Sequence, residues 1–166
     1  RSSDLYTKWP GYIQTLLVVL MFIGGCAGST AGGLKVSRVM LLCKDTLTEL
    51  RRMLRPRSVE HIRMDGKAVE TGTLRAVQGY FFVYLLLLLV GTLIVSLDGM
   101  DFTTNFTASL ACISNVGPGL ALVGPMGSFS VFSPLSKIVL IFEMLLGRLE
   151  IYPILLLFFP ATWKAK

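Results

Sequence analysis

Two glycine-rich stretches and one charged helical segment carry the chemistry this chain could perform. The first, Ser114-Asn115-Val116-Gly117-Pro118-Gly119, sets Val116, Gly117 and Gly119 in the order Val-Gly-x-Gly. Backbone of that composition can turn its carbonyls toward one point and replace the hydration shell of a bare cation. No side-chain carboxylate is needed for this, and none is present in the stretch. An ordinary Gly-Pro turn between two helices has the same composition.

The second stretch is Gly24-Gly25-Cys26-Ala27-Gly28-Ser29-Thr30-Ala31-Gly32-Gly33, where nothing is bulkier than Cys or Thr. Gly28 and Gly33 have the spacing of a phosphate-binding GxxxxGK[ST] loop, but Leu34 stands at the lysine position and Val36 at the Ser/Thr position. The residue that would reach the phosphates is therefore missing. Small residues four apart, as in Gly24–Gly28 or Gly28–Gly32, also make a close helix-packing face. The reading that explains all five glycines is a helix broken inside a membrane, its loop lining an ion path.

The third feature is Glu143, Arg148 and Glu150 inside an apolar helical pattern, costly in a bilayer unless partnered or wetted. Glu143 and Glu150 are seven apart and share a face, whereas Arg148 points nearly the opposite way. Arg148 thus pairs with a helix elsewhere or projects into a polar path; the two glutamates are assigned structural roles.

The elements that must position these groups follow from composition. Hydrophobic residues make up 53% of the 166, only 16% are charged and mean hydropathy is +0.67, which is membrane composition. The runs 80–97 and 135–159 are long enough to cross a bilayer at roughly 20 residues per span. Ten of the sixteen Lys and Arg fall within 35–75, against five acids. That places a basic segment between apolar spans, a topology signal, and no aromatic residues interleave with it as nucleic-acid binding would need. The single histidine, His61, and three cysteines without metal-like pairing support neither a metal centre nor a disulfide framework.

Along the chain, 9–23 is apolar but too short to span, and 34–54 is an amphipathic helix. Residues 55–73 form a polar linker, and 74–97 a full spanning helix ended by Asp98-Gly99. A short helix over 101–113 is stopped by the filter candidate 114–119, and an inner helix runs over 134–162. A long helix, a short helix, a Gly-Pro-Gly turn and a long helix make a re-entrant unit. Irregular backbone at membrane depth is tolerated only when buried or lining a cavity, which marks 114–119 as a pore candidate. With 35–75 cytoplasmic, 74–97 runs outward and 134–162 returns inward, leaving Lys164 and Lys166 in the cytoplasm. At about 1.5 Å per residue, Gly24 lies roughly 20 Å in from Gly11 and Arg148 roughly 21 Å in from Pro134, at matching depth. The sequon Asn105-Phe106-Thr107 falls inside the short helix and is read as chance.

At "GGCAGSTAGGLKVSRV", "NVGPGL" and "GRLEIYP" the sequence resembles the Trk/Ktr superfamily of potassium transporters, most closely the TrkH-type subunit. The resemblance implies an all-α membrane protein built of helix–pore loop–helix repeats, with one broken intramembrane helix. It aligns 1–54 with the end of a third repeat and 74–166 with a whole fourth repeat, so the chain is expected to be a piece of something longer. It further implies K⁺ transport, with K⁺ held by the carbonyls of Asn115, Val116 and Gly117. Ser114, Pro118 and Gly119 would support that filter, residues 24–33 would gate the pore beneath it, and Arg148 would project into it. No catalytic residue and no organic cofactor are implied. The partners implied are a second copy of the full-length subunit and a cytosolic nucleotide-binding ring of the TrkA type. The basic linker could meet that ring or anionic membrane lipid; nucleic acid is not expected.

Overall fold

The computed structural model describes residues 9–26, 32–54, 63–64, 67–68, 71–125 and 127–149. Five α-helices appear among them: α1 (Gly11–Ile23), α2 (Val36–Leu54), α3 (Thr71–Val95), α4 (Phe102–Ile113) and α5 (Pro134–Arg148). Helix α3, continued by a 3₁₀ turn over Ser96–Asp98, is long and apolar enough to cross a membrane. Helix α5 begins at Pro134 as expected, and the described part ends near Arg148; the rest of the expected inner helix lies outside the described residues.

Two details differ from the sequence expectation. Helix α3 starts at Thr71 rather than 74, because Gly72 occupies the first turn, where nothing packs against it and no side chain is required. The linker is also not wholly irregular. Arg63–Met64 pairs antiparallel with Lys67–Ala68, and Asp65-Gly66, a dipeptide favoured in two-residue hairpin turns, stands between them in sequence.

Helix α4 is the centre of the fold. Nine of its twelve residues, from Thr104 to Ile113, are buried, so it packs on every side although it is too short to span. Helices α1, α3 and α5 all contact it. On one flank Leu110, Ala111 and Ile113 meet Met21, Leu34, Tyr80, Tyr84 and Leu88; on the other, Ala108 and Cys112 meet Val95, Val123, Phe132 and Leu140.

Local chemistry fixes where α4 and α5 begin. Gly99, in the left-handed region at φ 71°, turns the chain after α3. Asp101 then caps α4, accepting from the Thr104 hydroxyl at 2.6 Å and the Thr104 amide at 3.1 Å. Those two bonds hold the Asp101 carboxyl below the usual carboxylate range. The charged cap is therefore complete at neutral pH and is lost only as pH falls through that lowered value. Ser133 caps α5 by accepting from the Ser136 amide at 3.3 Å, with Pro134 at the first helical position. The Ser133 amide in turn donates to Asp98 at 2.9 Å, tying the end of the α3 segment to the start of α5.

Deeper in the bundle, Glu143 buckles three helices together. Its carboxylate is 3% exposed and accepts from the Ser109 hydroxyl of α4 at 2.6 Å. A β-carbon at Gly91 of α3 would overlap that carboxylate, so the glycine is what admits it. Glu143 is thus a packing residue, as its sequence assignment expected; Glu150 lies outside the described residues. Asn105 is 1% exposed and donates to the Met100 carbonyl at 3.0 Å, so the sequon is inaccessible to modification.

Replacing Glu143 by Ala is expected to lower stability by about 1–3 kcal/mol, because the buried Ser109 hydroxyl is left with only the Leu88 carbonyl at 3.5 Å and a cavity opens beside Gly91. Glu143→Gln, which keeps an accepting oxygen, should lose less. Thermal unfolding of the full-length protein in detergent reads the difference, and equal midpoints for the two variants would exclude the buckle.

Candidate functional site

Helix α4 ends in a specific hydrogen-bonded cap. The Val116 amide donates to the Ala111 carbonyl and the Asn115 amide to the Cys112 carbonyl, both at 3.1 Å, while Asn115 sits at φ 53°. This is the six-to-one, five-to-two pattern of a Schellman motif, with Asn in the left-handed position usually held by Gly. The chain therefore leaves α4 without a further helical turn, and the filter candidate begins inside the cap itself.

Beyond the cap, Val116, Gly117 and Pro118 are exposed, and Gly117 is at φ 107°. A β-carbon there would meet nothing within 4 Å, so the need for glycine is conformational rather than steric. Gly119 is the opposite case. It is buried, and a β-carbon would lie 2.7 Å from Val123 and 3.2 Å from the Thr107 carbonyl. The returning chain is pinned there: the Leu120 amide donates to the Thr107 hydroxyl at 3.0 Å and the Gly119 amide to the Val123 carbonyl at 2.8 Å.

Residues 24–33 do break the helical path. Gly24 at φ 76° ends α1, and Gly33 at φ 84° precedes the start of α2. These ends lie against each other: a β-carbon on Gly24 would be 2.7 Å from the Gly32 carbonyl, and the Val36 amide donates to the Gly25 carbonyl at 3.0 Å. The stretch leaves the helix and returns to almost the same point. Cys26 is exposed on the outgoing side; Ala27, Gly28, Ser29, Thr30 and Ala31 lie outside the described residues. Leu34, at the position a phosphate-binding lysine would hold, is 1% exposed within the core around α4.

The returning end of this loop reaches the filter candidate. A β-carbon on Gly32 would lie 2.9 Å from both the Ile113 carbonyl oxygen and the Asn115 amide nitrogen, and 3.0 Å from the Ser114 carbonyl carbon. Two tyrosines of α3 hold both parts from behind. Tyr84, fully buried, shares a 3.0 Å hydrogen bond with the Ser114 hydroxyl, and the Tyr80 hydroxyl donates to the Gly33 carbonyl at 3.4 Å. The Arg38 guanidinium lies 4.0 Å above the Tyr80 ring.

Asn115, Val116 and Gly117 line a cavity of about 650 Å³ together with Lys137, Met144 and Arg148 of α5. Arg148 is exposed, so it faces this space rather than the core. The structure thus brings Asn115, Val116, Gly117 and Arg148 to one cavity and sets Gly32 and Gly33 directly behind the filter candidate. Among the described residues no His, Cys, Asp or Glu cluster could hold a metal ion through side chains.

Sequence reasoning missed Tyr80, Tyr84, Thr107 and Gly147. The tyrosines are spaced i, i+4 along α3, and that spacing was a usable signal. The others act through contacts between elements distant in sequence.

A spanning helix, a buried short helix, a backbone turn open to a cavity and a returning helix define the re-entrant pore-loop unit of an all-α membrane protein. The chain belongs to the TrkH family of cation transport proteins, whose family model matches residues 3–164. It is 40% identical over 163 residues to the Trk system potassium uptake protein TrkH of Escherichia coli K12, and 36% identical over 164 residues to that strain's TrkG. These alignments cover 98% and 99% of the chain and 33% of each relative, so the chain spans about a third of the length of the relatives it matches. The crystal structure of the potassium transporter TrkH from Vibrio parahaemolyticus superposes with a TM-score of 0.81 at 39% identity, over 96% of this chain and 34% of that one.

Tyr84→Phe removes the hydroxyl that supports Ser114 and leaves a buried polar group unpaired. The expected loss is about 1 kcal/mol of stability, read as a lowered thermal unfolding midpoint of the full-length protein in detergent. A wild-type midpoint would show that the contact is passive.

Proposed function

We propose that this segment forms one complete pore-loop repeat and the end of the preceding one in the pore-forming subunit of a Trk-type potassium uptake system. In this reading K⁺ sheds water against the carbonyls of Asn115, Val116 and Gly117, with Ser114, Pro118 and Gly119 holding the turn. The observation that carries the proposal is a Val-Gly-x-Gly turn, launched from a buried short helix and open to a cavity of about 650 Å³. The names of the relatives, all potassium uptake proteins, support the choice of ion.

Residues 24–33 act as the gate. Gly32 behind the filter and the closed neck at Gly24 and Gly25 support a loop held beneath it. Arg148, on the α5 turn that meets the same Ile113 carbonyl as Gly32, adds a positive barrier to cations and is placed to hold the loop. The basic 34–75 region faces the cytoplasm of the inner membrane. There it meets anionic lipid or a TrkA-type regulatory ring, within a homodimer of the full-length subunit.

Gly117→Ser has room for its side chain but not the backbone freedom, so selectivity should fall while the fold survives. Relative K⁺ and Na⁺ permeation of the reconstituted full-length protein is the measurement; an unchanged ratio would defeat the filter. Deleting several residues within 25–32, or replacing Arg148 by Ala, should raise K⁺ flux with selectivity largely kept. Lower flux in correctly inserted protein would make the loop a scaffold.

A further inference from the structure

The side chain of Asn115 is engaged differently from its carbonyl. Its amide nitrogen donates to the Met144 carbonyl of α5 at 3.1 Å, bridging the filter candidate to the inner helix across 29 residues. Two glycines from two other parts of the chain make room for that bridge. A β-carbon on Gly147 of α5 would lie 2.9 Å from the Asn115 amide nitrogen and would overlap the Ile113 carbonyl. A β-carbon on Gly32 of the intramembrane loop would lie 2.9 Å from each of the same two atoms. The amide therefore occupies a slot walled by the loop on one side and the inner helix on the other.

The left-handed cap alone does not explain this residue. At φ 53° a glycine would close the Schellman motif with less strain. Asn adds one thing glycine lacks: a donor that reaches α5. We propose that the Asn115 side chain is a positioning residue for ion selection, locking the first turn of the filter to the inner helix at the level where the intramembrane loop meets that turn. This rests on the filter reading above and assigns the side chain a role separate from carbonyl coordination. It makes the geometry of the inner end of the filter depend on α5 and on Gly32, so a shift of either is felt by the first coordinating carbonyl.

The test uses the full-length protein carrying this segment, reconstituted in liposomes, with K⁺/Na⁺ permeation ratio and thermal unfolding midpoint read on each variant. Asn115→Gly keeps the left-handed cap and deletes the amide; Asn115→Asp keeps the shape and deletes the donor; Gly117→Ser serves as the control on the filter itself. The expected result is a fall of about fivefold in the ratio for both Asn115 variants, the factor that one net hydrogen bond supplies. The unfolding midpoint of Asn115→Gly should stay near wild type. A wild-type ratio in either Asn115 variant, beside a lowered ratio in Gly117→Ser, overturns the proposal and leaves the filter standing. A wild-type ratio in all three overturns the filter reading and this proposal with it.

Discussion

Backbone that leaves a helix inside a bilayer must find partners for its polar groups, because the hydrocarbon offers none. Everything arranged around α4 answers that demand. The Schellman cap satisfies the Ala111 and Cys112 carbonyls, the Thr107 hydroxyl receives the Leu120 amide, and the tyrosines of α3 meet Ser114 and the Gly33 carbonyl. With those groups satisfied from behind, Asn115, Val116 and Gly117 are left lining the cavity. Coordination by backbone, as proposed above, depends on how completely the surrounding backbone is tied down.

Two ionisable side chains in one helix show how position decides role. Glu143 and Arg148 are five residues apart on α5, which turns them to different sides. Glu143 points into the three-helix junction, where a glycine on α3 and a serine on α4 accommodate its carboxylate. Arg148 points into the cavity lined by Asn115, Val116 and Gly117. The first is retained by packing and a hydrogen bond and the second by an open cavity, two conditions under which an ionisable side chain persists at membrane depth.

Much of this was legible in the residues. Five glycines within 24–33 cannot sit comfortably in a helix, and Gly24 and Gly33 do adopt left-handed conformations. The end of the short helix was legible from Gly117 and Pro118, although Asn115 in the left-handed position closes it before they are reached, and Asp101 and Ser133 are ordinary capping residues at the expected starts. Less legible was anything that depends on close approach between distant elements. Gly147 looked like one more helical glycine, yet it admits the end of α4; Asn115 looked like a source of a carbonyl, yet it is both a left-handed cap and a strut. The start of α3 was misplaced because Gly72 reads as a breaker locally, and only the position in the first turn makes it harmless.

The closed neck of the intramembrane stretch has a consequence for how such a protein can change. Since the Gly24 end of α1 and the Gly32–Gly33 end of α2 already touch, and Gly25 and Val36 are hydrogen bonded, the two helices are aligned by the stem and not by what hangs from it. A segment closed by a fixed base can gain or lose residues at a cost that grows only with the logarithm of its length, about 0.6 kcal/mol per doubling. The length and chemistry of what joins these two ends are thereby separated from the architecture that carries it. Divergence along this lineage is free to alter that segment while the helices and their caps stay in register.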